Sequence, residues 1–202
     1  MSLKTGELLC MNCEPVWQHP DLGVVRGEEL FELCRRSALT GPVAEASLRL
    51  ALTQFVAWQP LLPDNCQLSV AMPTDWVRYP DLKSRLQMLL QQMQVSPRQI
   101  IFSLPERGLS AQDRSLLLQM QALCAEGYRF ALQGFGLGQA SLTTLQALPV
   151  HKIKMAGELI ESVASNPSDF NFVAAIVSMA KSLGLDVLAA GVHTTAQASV
   201  LA

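Results

Sequence analysis

Charge is scarce in this chain of 202 residues: Asp, Glu, Lys and Arg make up 16% of it, and 17 acids against 15 bases leave a formal net charge of −2. No run of Lys or Arg exceeds the pair Arg35 and Arg36. The electrostatic footprint that sequence-independent DNA or RNA binding requires is therefore missing, and no nucleic-acid partner is expected. A spanning apolar run is missing too. The uncharged stretch Val187 to Ala202 is broken by Gly191, His193, Thr194, Thr195 and Gln197, so it lacks the roughly 18 apolar residues that a membrane helix needs. The N-terminus lacks the basic region, apolar core and small-residue cleavage site of a secretory signal. These absences predict a cytoplasmic segment that does not insert into membrane.

Cysteine is sparse and scattered. Cys10, Cys13, Cys34, Cys66 and Cys124 form an odd set, unlike an extracellular disulfide framework, and free thiols are expected. Cys10 and Cys13 have C-x-x-C spacing inside an apolar run that reads as a strand, where residues three apart point to opposite faces and cannot chelate one ion. What the chain does have is apolar mass. Half of its residues are hydrophobic, enough to bury a large core and too many for disorder.

That apolar mass is organised. Runs of strand length recur at Leu8 to Asn12, Leu68 to Met72, Ile100 to Leu104, Arg129 to Gln133, His151 to Met155 and Asp186 to Ala190. Segments of helical period lie between them. In Pro42 to Trp58, Leu48, Ala51, Leu52 and Phe55 fall at i, i+3, i+4 and i+7 and make one apolar face. Leu82 to Gln94 shows a similar face, as do Ala111 to Glu126, closed by Gly127, and Asp169 to Leu183, closed by Gly184. Strands alternating with helices predict an α/β fold with a parallel sheet, either an open doubly wound sheet or a (β/α)8 barrel. Both place ligand sites at the carboxyl ends of strands.

One such end carries Gly134, Gly136 and Gly138 before a helix expected to begin near Ala140. A dinucleotide fingerprint would need Gly or Ala where Gln139 stands, and an acid where the next strand ends in Met155 and Ala156, so a glycine-rich barrel loop is the better reading. Within the two residues that follow the carboxyl end of a predicted strand the only carboxylates are Glu14 and Glu106.

The runs YRFALQGFGLGQASL (Tyr128 to Leu142), LPVHKIK (Leu148 to Lys154) and SLGLDVLAAGVHT (Ser182 to Thr194) resemble the second half of an EAL domain. WQHPDLG (Trp17 to Gly23) and LSVAM (Leu68 to Met72) match it further, in the right order. That family comprises the cyclic-di-GMP (c-di-GMP) phosphodiesterases and their inactive relatives. The resemblance implies a TIM-type (β/α)8 barrel over residues 1–202. The barrel is expected to be incomplete at both termini, because a barrel needs about 250 residues and eight strands. Residues 1–202 would then be one EAL domain from a longer, sometimes membrane-anchored, parent whose flanking residues or a symmetry partner cover the open edges.

Active members of the family hold two divalent cations with carboxylates and an amide at the strand ends. The Glu of the naming motif falls on Asn12 and its Arg on Val16 in the register set by Trp17, while a gapped alternative brings Glu14 closer to the motif Glu. The Asn of the next strand falls on Ala71. In the E-x-x-E pair the first acid is Ser103 and the second survives as Glu106. The paired aspartates have become Gln133 and Gly134. Lys154 is retained, but the Asp two positions on is Ala156. In the E-G-V-E segment both acids are gone, leaving Ala190 and His193, while the later Gln remains as Gln197.

The resemblance thus implies a catalytically inactive member that uses neither Mg²⁺ nor Mn²⁺, with a vestigial site drawn from Asn12, Ser103, Glu106, Gln133, Lys154 and Gln197. The function it implies is regulatory protein binding in bacterial c-di-GMP signalling, with an unidentified protein partner or a second copy as ligand. The alternatives are an inactive receptor that binds c-di-GMP without hydrolysis, with weak affinity or none as the default, and a residual phosphodiesterase. His193 and the eight methionines read as a polar loop residue and ordinary core.

Overall fold

The apolar runs become strands because each can be buried against helices. A computed structural model describes residues 1–137 and 142–202. In chain order its elements are strands β1 (Cys10–Cys13), β2 (Val16–His19) and β3 (Gly23–Arg26), helices α1 (Gly27–Arg36) and α2 (Thr40–Trp58), β4 (Gln67–Ala71), α3 (Thr74–Val77), α4 (Leu82–Met93), β5 (Ile100–Pro105), α5 (Arg114–Ala125), β6 (Arg129–Phe135), α6 (Leu142–Ala147), β7 (Lys152–Met155), α7 (Gly157–Glu161), α8 (Pro167–Ser182), β8 (Asp186–Ala189) and α9 (Thr195–Leu201). All six predicted strands are present, with ends shifted by a residue or two. The β2–β3 hairpin and helices α1, α3, α7 and α9 are additional. Gly138, Gln139 and Ala140, where the glycine-rich loop and the expected start of a helix fall, lie outside the described residues.

Six strands pair in the order β1-β4-β5-β6-β7-β8, every pair parallel. The curled sheet has one dry face. Leu68 and Val70, Ile100, Phe102 and Leu104, Phe130 and Leu132, and Ile153 and Met155 alternate along their strands and share one core with Leu48, Leu52 and Phe55 of α2, Leu86 and Leu90 of α4, Met120 of α5 and Ile176 of α8. The opposite face carries Ser69, Ile101, Ser103, Gln133, Lys152 and Lys154 at the intervening positions. Among the described residues all the covering helices in this core therefore belong to one side. That arrangement decides for the barrel curvature over the doubly wound sheet, which needs helices on both faces.

The polar inner face is internally paired. Lys152 Nζ donates to Gln67 Oε1 at 3.0 Å and lies 3.6 Å from Asp186. Behind it, the His151 ring accepts the Phe130 N–H at Nδ1 (3.3 Å), which requires an unprotonated nitrogen. Burial, with help from Arg129 and Lys152, pushes the His151 pKa below 6.5. Helices α5 and α8 end as their glycines predict. Gly127 N bonds Cys124 O while Tyr128 N bonds Leu123 O, and Gly184 N bonds Lys181 O while Leu185 N bonds Ala180 O, the paired bonds of a Schellman cap.

Candidate functional site

Because the strands are parallel, their carboxyl ends gather on one rim. The register sets Asn12 beside Ser69, Ala71 beside Ser103, and Gln133 between Pro105 and Lys154, whose other neighbour is Leu188. Four of the predicted site residues meet there through β5, β6 and β7. Ser103 is buried, and its Oγ donates to Gln133 Oε1 at 3.1 Å. The Gln133 carbonyl in turn accepts the Glu106 N–H at 3.0 Å, so the first residue after β5 is tied to β6. Glu106 is buried. Lys154 is half-buried on the same inner face.

Burial holds the Lys154 ammonium below its ordinary pKa, and the charge of Glu14 across the rim works against that shift, with a smaller pull from Cys10. The sign follows. A lysine whose folded pKa is depressed costs the fold stability while both states are protonated, and the cost vanishes as pH rises through the folded value toward 10.5. Lys154→Met is therefore expected to raise Tm near neutral pH. Thermal melts recorded from pH 7 upward should show that gain shrinking toward zero by the unfolded pKa; a variant melting below the parent would show instead that contacts of the ammonium stabilise the fold.

Two predicted residues stand apart from this group. Asn12 is exposed on the edge strand β1. Gln197 is buried, and its side chain is committed: Oε1 accepts the N–H groups of His193 (2.8 Å) and Thr194 (3.0 Å), while Nε2 donates to the carbonyls of Ile160 and Glu161, both at 3.1 Å. With Thr194 Oγ1 accepting from Gln197 N, this is a capping box that starts α9 and pins it to α7. S/T-x-x-E/Q spacing at Thr194 and Gln197 is the sequence signal for that role.

Two features have no place in the sequence reading. The β6–β7 register shifts between Gln133 and Phe135, and Gly134 fills the gap at φ +77°, a bulge that turns the strand end at the rim. Glu14, directly after β1, lies 4.0 Å from Arg26 on the hairpin, whose backbone is tied to the rim by Gly27 N donating to Pro15 O at 2.9 Å. The hairpin turn is built on His19, whose Nδ1 accepts the N–H groups of Asp21 and Leu22. The family-like run from Trp17 to Gly23 thus forms a structural turn, with Val16 exposed at the position of the motif Arg. Cys10 and Cys13 occupy opposite ends of β1. Among the described residues no three or more His, Cys, Asp or Glu side chains come together as ligands.

A sheet of this curvature with its polar rim is the signature of the barrel class whose chemistry is placed on strand ends. The EAL domain profile matches residues 1–202, and the chain belongs to the EAL domain family. It is 25% identical over 185 residues, 92% of its length, to MucR of Pseudomonas aeruginosa, a bifunctional diguanylate cyclase/cyclic di-GMP phosphodiesterase. It is 24% identical over 200 residues, 98% of its length, to the cyclic di-GMP phosphodiesterase PdeL of Escherichia coli. The PaMucR phosphodiesterase in its c-di-GMP complex superposes with a TM-score of 0.83 at 24% identity, over 96% of this chain and 78% of that one. The chain spans 27% of the length of MucR and 55% of that of PdeL. Among the described residues no helix is long and apolar enough to cross a membrane.

Proposed function

We propose that this EAL domain has left catalysis and acts as a regulatory, protein-binding module in c-di-GMP signalling. The observation that carries this reading is the donor set on the rim. Hard divalent cations bind when several anionic oxygens replace their waters, whereas the positions at which active members hold two metals bear Asn12, Ala71, Ser103, Gln133, Ala156 and Ala190 here. Ser103 and Gln133 offer neutral oxygens alone, and these bond each other, Ser103 Oγ donating to Gln133 Oε1 at 3.1 Å. Of the nearby carboxylates, Glu14 is set against Arg26 and the charge of Lys154, and Glu106 is a single buried acid. These residues do not fit a pair of Mg²⁺ or Mn²⁺ ions, so no step of hydrolysis is derived through them.

Lys154 favours one second reading, a receptor that binds c-di-GMP without cleaving it, because a half-buried cation on the inner face is suited to a phosphate. Calorimetric titration of the purified chain with c-di-GMP separates the two. The module reading expects no binding at micromolar nucleotide. Binding at micromolar or tighter affinity that is lost in Lys154→Ala would replace it with the receptor.

A further inference from the structure

At the end of the sheet opposite the rim, His151 joins three strands. Its N–H donates to Phe130 O on β6 at 2.8 Å, its carbonyl accepts Asp186 N–H on β8 at 3.0 Å, and its ring Nδ1 accepts Phe130 N–H at 3.3 Å. Phe130 is fully buried, so that N–H has no water to turn to. A regular parallel ladder would offer it the carbonyl of Pro149, but that oxygen accepts from Cys124 Sγ at 3.7 Å. The imidazole takes the place of the missing rung, just before the paired stretch that opens with Ala131 and Lys152.

An imidazole fills that place only while it is neutral. With Nδ1 as acceptor the ring proton sits on Nε2, and a second proton would turn Nδ1 into a donor facing a donor. Burial opposes the cation first, Arg129 on β6 and Lys152 on β7 add to it, and Asp186 on β8 works the other way. Asp186 is itself 3.6 Å from Lys152 Nζ. The Cys124 thiol on α5, pushed up to about 11 by burial, adds no charge. The ring is therefore neutral at pH 7 and gains its second proton below 6.5. Linkage gives the sign: stability contributed by the neutral ring is complete above 6.5 and falls with pH, because the unfolded ring takes up its proton first. We propose that His151 is an acid-sensitive latch: the neutral ring holds β6 to β7, and the protonated ring lets go, loosening the amino-terminal ends of β6, β7 and β8 while the rim keeps its register. The latch stands apart from whether the rim binds a nucleotide.

Amide hydrogen exchange of the purified chain, followed residue by residue by NMR from about pH 7.5 to about pH 5 and corrected for intrinsic rates, tests it. The His151 ring titration is read in the same samples from its Cε1 proton. Phe130 and Asp186 N–H should lose protection roughly tenfold or more as the ring titrates, the scale of leaving one buried donor unpaired. Ala156 N–H, bonded to Phe135 O at 3.2 Å at the other end of the same strand pair, should keep its protection. His151→Asn offers a carbonyl oxygen near the position of Nδ1 and has no proton to gain, so it should hold the neutral-pH protection across the range, whereas His151→Leu should be open throughout. The readout is local because His19, another ring that accepts backbone N–H groups, sits on the hairpin and would blur a global melt. Protection at Phe130 that does not follow the ring, a ring that titrates at or above 6.5, or an unchanged pH dependence in His151→Asn overturns the proposal.

Discussion

Purified protein supplied with Mg²⁺ or Mn²⁺ is expected to leave c-di-GMP intact, with no linear dinucleotide above the uncatalysed background in a chromatographic assay. Two-metal hydrolysis depends on cations that create the attacking hydroxide and stabilise both the entering and leaving oxygens. When the ligands go, the whole enhancement goes with them, and the expected effect is loss of turnover rather than a slower enzyme. Restoring one carboxylate, as in Asn12→Glu, should not rescue it, since with Glu106 it gives two acids where a pair of ions needs several anionic oxygens. Steady turnover in the parent, dependent on the metal and abolished by Lys154→Ala, is the outcome that would return this domain to the phosphodiesterases.

Phe102→Ala is expected to cost about 3–5 kcal/mol, the usual range for truncating a fully buried aromatic. Phe102 lies at the centre of the dry face of the sheet, stacked on Tyr128 with ring centroids 5.4 Å apart and tilted against Phe130 at 5.8 Å. Its removal opens a cavity between β5, β6 and the helices that cover them, and an alanine there regains none of the ring contacts. For a domain of this length the loss corresponds to a fall in Tm of roughly 6–20 °C. Urea unfolding should show the midpoint dropping while the slope stays constant. A change under about 1 kcal/mol would mean that the aromatic cluster is not packed as described.

The strands were legible because all six carry apolar side chains on a face that packs into the helix-covered core, so their runs stand out between turn residues whatever their partners. The helices α2, α4, α5 and α8 were legible from period and, at Gly127 and Gly184, from their stops. The hairpin was not. Val16–His19 and Gly23–Arg26 are four residues each, with Gln18, His19 and Arg26 among them, too short and too polar for periodicity to separate from a loop. Helix α1 could have been read, since Leu30, Phe31 and Cys34 recur at helical spacing and are buried.

At the rim, the resemblance names positions, and the fold shows what the side chains standing there contact. Ser103 and Gln133 are 30 residues apart in sequence, and only the β5–β6 register reveals that they bond. Gln197 reads as a retained site residue in the resemblance, yet its hydrogen bonds serve a helix start. Gly134 reads as a lost acid, yet it supplies a left-handed bulge. Each of these roles depends on which strand lies beside which, information that local pattern does not hold.

The hydrogen bond between Ser103 and Gln133 has one more consequence. A cluster of carboxylates at a barrel mouth repels itself whenever its counter-ions are absent, so such a scaffold is tensioned until cations arrive. Here a neutral hydroxyl and a neutral amide stitch β5 to β6 together without a counter-ion. That contact should be indifferent to the ionic supply around it, holding β5 and β6 in the same register whether or not divalent ions are scarce.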